Sequence, residues 1–311
     1  MIKKYILTIM ILAVLGKVSF AQQDPMYTHY MYNTLAVNPA YAGTRNALTA
    51  TALNRSQWVG FDGAPVTQTF ILHTPLFNEK IGVGGSVIND RIGPAKMTGI
   101  FGDFSYHIKL NGKGKLAFGL KGGINMYTLN LTKLQTDQQG DVSFSSNLYN
   151  KSVPNFGFGM YYYRERFYAG LSIPKLLQNN YSTSQPNGSA NLLAERRHYF
   201  FITGAVFNLS PSLQLKPTAL IKATTGAPVE ADFTAQFILD KALHIGAMYR
   251  TGDAAGILVG YNILEQLYAG YSFDWSFLNQ TIKFNSGSHE LMRRYDFIYK
   301  TKEKIKSPRY F

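Results

Sequence analysis

Three features of this chain predict an all-β fold, and within that class a 14-stranded antiparallel transmembrane β-barrel of the outer-membrane type with a short N-terminal periplasmic or plug segment. Stretches of about ten residues alternate apolar and polar side chains. Every second connection between them is brief, and Tyr and Phe number 21 each. Residues 228–240 show the alternation: Val229, Ala231, Phe233, Ala235, Phe237 and Leu239 share one face, while Glu230, Asp232, Thr234, Gln236 and Asp240 lie mostly on the other. A period of two places successive side chains on opposite faces of a strand. A soluble sandwich turns the apolar face inward, whereas a membrane barrel turns it to lipid and lines its lumen with the polar face.

Residues 1–21 read as a cleaved signal peptide: Lys3 and Lys4 start it, residues 5–16 form the apolar run, and Ser19, Phe20 and Ala21 suit a signal peptidase. That run is too short to cross a bilayer, and no other segment approaches the ~18 apolar residues of a membrane helix. A barrel escapes such a search because half of each strand is polar. Without Lys3, Lys4 and Lys17, 28 Lys and Arg face 18 Asp and Glu, a net charge of +10. An exported chain meets no nucleic acid, so acidic lipid headgroups or acidic protein faces are the expected partners. The chain has no cysteine, which excludes a disulfide framework and any thiolate metal site.

Residues 22–45 break the strand pattern. Met26, Tyr27, Tyr30, Met31 and Leu35 follow roughly helical spacing up to the Asn38-Pro39 break, which predicts a short amphipathic segment that plugs the lumen or caps the periplasmic floor. The barrel is expected over 46–298, with strands near 46–57, 67–75, 81–90, 96–109, 114–129, 153–163, 165–173, 196–208, 212–223, 228–239, 241–251, 254–263, 266–275 and 287–298. If the first strand runs outward, the even connections are short periplasmic turns, and the long ones at 131–152, 174–195 and 276–286 all fall outside. An even count then puts both termini on the periplasmic side.

In the fifth strand Leu116, Phe118, Leu120, Ile124 and Met126 oppose Lys121 and Asn125. Phe118, Leu120, Phe233 and Phe237 should therefore face lipid, with Lys121, Asp232 and Gln236 in a wet lumen where charge costs little. The eighth strand, Tyr199 to Leu209, is apolar on both faces, which suggests contact with a plug or a loop.

Catalytic signals are absent. The six histidines are scattered with no metal-binding spacing. Gly82-Val83-Gly84-Gly85 and Gly157-Phe158-Gly159 lead into no helix, so they lack an anion-binding terminus and read as bends or close-approach points. Glu230 and Asp232 share a face, but without an activating partner they read as solvated lumen charges. No enzyme activity, cofactor or metal is expected.

Residues 299–311 form a basic tail, with Lys300, Lys302, Lys304, Lys306 and Arg309 against Glu303. Tyr27, Tyr30, Tyr41, Lys302, Lys304, Lys306 and Arg309 are candidate contacts for periplasmic machinery. Arg55, Trp58, Phe61 and Pro65 should build an ordered outer loop and are candidate contacts for an extracellular client, Trp and Arg being common interface anchors.

The blocks Asp24-Pro25-Met26-Tyr27-Thr28, Asn38-Pro39-Ala40-Tyr41-Ala42-Gly43, residues 55–65, residues 82–94 and Gly287 to Glu290 resemble the PorP/SprF family of type IX secretion system membrane proteins. The resemblance implies a non-enzymatic outer-membrane component of the secretion and gliding machinery. It would support export or surface anchoring of proteins bearing a C-terminal sorting domain, alongside periplasmic partners, and it brings no catalytic residues. The alternative reading is a passive channel for small hydrophobic ligands, of the fatty-acid-transporter kind, gated by the N-terminal segment.

Overall fold

A computed structural model describes residues 24–111, 114–130, 148–179, 195–277 and 286–298. The signal peptide, the basic tail with Lys302, Lys304, Lys306 and Arg309, and most of the long connections after residues 130, 179 and 277 lie outside the described residues.

Fourteen strands close on themselves. They are β1 (Leu48–Ser56), β2 (Val66–Leu76), β3 (Ile81–Ile92), β4 (Ala95–Lys109), β5 (Lys115–Leu129), β6 (Leu148–Arg164) and β7 (Phe167–Ile173). Then come β8 (His198–Ala205, resumed at Phe207–Asn208), β9 (Leu213–Thr224), β10 (Glu230–Leu239), β11 (Leu243–Arg250), β12 (Ala254–Asn262), β13 (Leu267–Ser276) and β14 (Ser288–Phe297). One register runs through the break in β8, with Gly204 opposite Thr218 before it and Phe207 opposite Leu215 after it. Pro217, opposite Ala205, has no N–H to give the ladder there. Every strand pairs antiparallel with its sequence neighbours, and β14 pairs with β1 from Leu48↔Phe297 to Ser56↔His289. Closure removes the sheet edges, which is the condition for crossing a bilayer with strands.

The expected facing holds. Leu120, Phe233 and Phe237 are 59%, 48% and 45% exposed on the outer wall, whereas Lys121, Asp232 and Gln236 are buried inside. Phe118 is half-buried and shares the outward parity of Leu120. The turns at 77–80, 110–114, 165–166, 209–212, 240–242 and 263–266 gather at one end, and the longer connections at the other.

The interior departs from the expectation of a wet lumen. Residues 27–45 are packed inside the barrel almost without exception, including Tyr30, Met31, Leu35, Ala40 and Ala42 at 1% exposure or less. A single helical turn, α1 (Thr34–Val37), and a 3-10 turn at Pro39–Tyr41 shape this segment. It is a plug. Phe200, Ile202 and Val206 of β8 pack against it in one core cluster, which explains why that strand is apolar on both faces.

The plug also corrects the placement of the N-terminal side. Asp24 contacts Lys175 and His198 at the long-loop end, while Arg45 pairs with Asp296 at the short-turn end, just before β1 begins. The segment therefore runs the length of the lumen. The two ends of the described chain leave the barrel at opposite ends, not at the same one. The reason is that Asp24 finds its cationic partners at the long-loop mouth.

Candidate functional site

The site is the contact between plug and wall, and it begins at the mouth. Asp24 Oδ1 lies 2.7 Å from Lys175 Nζ, and Oδ2 lies 3.2 Å from His198 Nδ1. Burial alone would raise the Asp24 carboxyl, but the Lys175 ammonium and the His198 ring outweigh it and hold the group well below the usual carboxylate range. Pro174, Lys175 and Leu176 turn back onto β6, where the Leu176 N–H donates to Phe156 O and Arg197 donates to Leu176 O. Glu195 ties this loop down by accepting from Asn125, Tyr127, Asn155 and Asn179.

Below the mouth lies a buried charge network. The Thr28 and His29 backbone N–H groups donate to the Glu290 carboxylate at 2.9 and 2.7 Å, and His29 Nδ1 is 2.7 Å from the same carboxylate. Arg55 grips Asp274 with both terminal nitrogens, at 2.9 and 2.7 Å, and also donates to Thr28 Oγ1. Arg250 Nε is 2.6 Å from Asp232. Buried charges are tolerable only when paired in this way. Deeper in the lumen, Tyr30 OH bonds Thr218 at 3.0 Å, Tyr32 OH bonds Gln236 at 3.1 Å, and Arg45 clasps Asp296 at 3.0 and 2.7 Å.

On the opposite arc the wall makes room with glycine. A Cβ at Gly82 would collide with Ala42 O, one at Gly119 with Ala40 N, and one at Gly159 with the Asn38 side chain. A Cβ at Gly84 would come within 2.9 Å of Leu35. The Asn38 amide then donates to Met160 O at 3.0 Å, and Ser172 Oγ donates to Val37 O at 2.7 Å. The glycine runs are close-approach points, as their sequence context suggested, and the plug is what approaches.

Several expectations change here. Lys121 is not solvated: it pairs with Asp103 at 2.9 Å and donates to Leu35 O at 3.3 Å. Asp232 and Glu230 are likewise not free lumen charges, since Arg250 holds the first and Lys222 lies 3.3 Å from the second. Tyr27, Tyr30, Tyr41 and Arg55, expected at contact surfaces, are buried in the lumen, where their partners are the barrel's own strands. Trp58, Phe61 and Pro65 do lie in the loop between β1 and β2. That loop is ordered by backbone bonds from Val59 to Gly287, from Ser286 to Val59 and from Gly93 to Gly63. Trp58 leans over the barrel rim, its indole N–H donating to Ser276 Oγ at 3.1 Å, and Val59 and Phe61 are left exposed.

A serine–histidine pair does occur inside the lumen, with Ser105 Oγ 2.7 Å from His107 Nε2 and His107 Nδ1 2.6 Å from Tyr163 OH. Ser105 is fully buried and its hydroxyl donates to Ala42 O at 2.7 Å. Its proton is committed to the plug. Among the described residues no group of His, Cys, Asp and Glu is arranged to hold a metal.

The sequence blocks that resemble a family thus converge in space: 24–28 on Glu290, 38–43 on Gly82 and Gly119, and the loop after Arg55 on Gly287. The sequence profile described as "Type IX secretion system membrane protein PorP/SprF" matches residues 19–295. The chain belongs to the PorP/SprF family. No curated protein matches this PorP/SprF member. Among solved structures it is similar to the CymD monoaromatic hydrocarbon channel, with 10% identity and a TM-score of 0.49, over 86% of this chain and 94% of that one. It is similar also to the Acinetobacter baumannii outer membrane protein Omp33, with 10% identity and a TM-score of 0.47, over 82% and 100%. A third is a Pseudomonas aeruginosa FadL homologue, with 12% identity and a TM-score of 0.45, over 92% and 97%. The PorP/SprF chain is an outer-membrane β-barrel.

Proposed function

We propose that this barrel is a non-enzymatic component of the type IX secretion and gliding machinery that supports export or surface anchoring of proteins with C-terminal sorting domains. In this reading the long-loop end faces outward, and the ordered loop with Trp58, Phe61 and Pro65 meets the client. The basic tail, with Lys302, Lys304, Lys306 and Arg309, faces periplasmic machinery.

The plugged lumen carries the choice against a channel. A passive pore needs a continuous path or a pocket of roughly 300 Å³ or more for a small ligand. The crevices left between plug and wall beneath the long-loop mouth measure about 60 and 30 Å³, room for a few waters. The larger hollow, about 390 Å³ over β2 to β4, opens on the outer wall among Phe70, Leu72, Val87 and Ile100, and behind it Leu35 of the plug closes on Gly84. A plug bonded at every level does not swing aside for a diffusing solute.

The test compares the cell-surface proteome of a deletion strain complemented with wild type or with Trp58→Ala/Phe61→Ala. The double variant should fold, since its changes lie in a loop outside the strands, yet it should lower surface display of sorting-domain proteins. Normal display by that variant removes the loop from the mechanism. Normal display by the deletion strain itself removes the secretion role.

A further inference from the structure

The lipid-facing wall carries one charge out of place. Outward-facing Arg91, Lys96 and Arg164 lie at a strand end or one residue from it, where a long cationic side chain reaches the headgroups. Arg293 is different: it is the sixth of ten residues in β14. By the two-residue period it shares the outer face with Leu291 and Phe297, which are 47% and 38% exposed.

Its neighbour shows what such a group needs. Arg294 turns inward, where it lies 5.4 and 5.3 Å from the centres of the Tyr32 and Tyr268 rings and 3.6 Å from Asp296. Arg293 is exposed and makes no hydrogen bond or ion pair with another described residue. Arginine on the lipid face is costly, most at the bilayer midplane and less towards the interface. An anion from outside the chain that meets the guanidinium offsets that cost.

The surroundings select the anion. Across the strands Arg293 stands directly opposite Ala52 on β1 and Ala269 on β13, and Ala50 lies one outward position further along β1. These methyl groups leave a low, apolar floor beside the guanidinium that offers no carboxylate and is bounded on β2 by Phe70 and Leu72. Tyr295 is the next outward residue toward the short-turn end, and its hydroxyl donates to Gln266 Oε1 at 2.9 Å in the adjacent turn. Two residues of strand span roughly 7 Å, within reach of an extended arginine. The planar fork of the guanidinium matches the oxygens of a phosphate.

We propose that the β13–β14–β1 seam holds an anionic glycerophospholipid, its phosphate on Arg293 and an acyl chain lying over Ala50, Ala52 and Ala269. The lipid belongs to the leaflet on the short-turn side. It fastens the seam at which the last strand closes on the first.

Native mass spectrometry of the purified full chain, offered phosphatidylglycerol or phosphatidylcholine, tests this. Wild type should retain phosphatidylglycerol with a preference of about tenfold, the scale of one charge-assisted contact. Arg293→Leu should erase the preference, Arg293→Lys should keep part of it, and Lys96→Gln, near a strand end, should keep all of it. Heat-modifiability on gels verifies that each variant has closed its barrel. Arg293→Leu replaces an exposed charge with a lipid-compatible side chain, so it should assemble. Absence of any preference in wild type overturns the proposal, as does equal retention by Arg293→Leu. Unchanged lipid retention with loss of a co-purifying membrane protein overturns it too, and gives the guanidinium to that protein's carboxylate instead.

Discussion

Where β3 to β7 face the plug, the wall yields to its backbone; where β10 to β14 and β1 face it, the wall meets it with paired charges. On the first arc Gly82, Gly84, Gly119 and Gly159 leave slots for the backbone of residues 35–42, and the wall's side chains there bond only plug carbonyls, from Lys121 to Leu35, Ser172 to Val37 and Ser105 to Ala42. On the second, Arg55, Asp232, Arg250, Asp274, Glu290 and Asp296 form a chain of paired charges around Thr28, His29 and Arg45. Slots fix position through repulsion at short range, and they act only on a segment already seated. Paired charges carry desolvation costs that only the right partner offsets, so they select which segment sits there. One arc sets the depth of the plug and the other its identity.

The comparison breaks most severely at a slot. Gly119→Val places side-chain atoms where Ala40 must lie, and overpacking against backbone should cost about 3 kcal/mol or more. The expected readout is a barrel that fails to become heat-modifiable, or one that closes with residues 24–45 open to trypsin. A closed, protected barrel would mean that the slots are not needed.

Arg55→Met tests the other arc. It leaves Asp274 and Glu290 buried with fewer partners, a loss of about 3–5 kcal/mol in denaturant unfolding. Adding Asp274→Asn should restore part of it. If Arg55→Met alone is silent, the network is wetter than its burial implies.

The smallest effect sharpens the contrast. Gly102 points to lipid, and a Cβ there would meet only Gly122 O at 3.9 Å. Gly102→Val should therefore change stability by no more than about 0.5 kcal/mol. A cost like that of Gly119→Val would mean that glycine serves the sheet rather than the plug.

The strands were legible because their period is a backbone property. β10 and β13 match their alternation almost to the residue, and the parity of loop lengths gives the strand count. What fills the lumen was less legible, because alternation reports which face a residue occupies and not what stands opposite. Lys121 read as a solvated charge for that reason, although it is ion-paired and dry. Two signals did point inward. Phe200, Ile202 and Val206 sit on the lumen parity of β8, where an open pore would place polar groups. Gly82, Gly84, Gly119 and Gly159 also fall on that inner parity. The pairing of Arg55 with Asp274, 219 positions apart, has no local signature at all. Arg293 and Arg294 look alike in sequence, and the period of two alone separates them.

The opposite exits of the two chain ends matter once force is applied. A load on the chain beyond Phe297 pulls along the axis of β14, which is held by nine residue pairs to β1 and eight to β13. Those pairs resist together, in shear, instead of parting one at a time. The plug is bonded to that same strand, through Glu290 to Thr28 and His29 and through Asp296 to Arg45, so it shares the load. A barrel tethered through its last strand thus spreads tension from the short-turn side over the closing seam and the plug together.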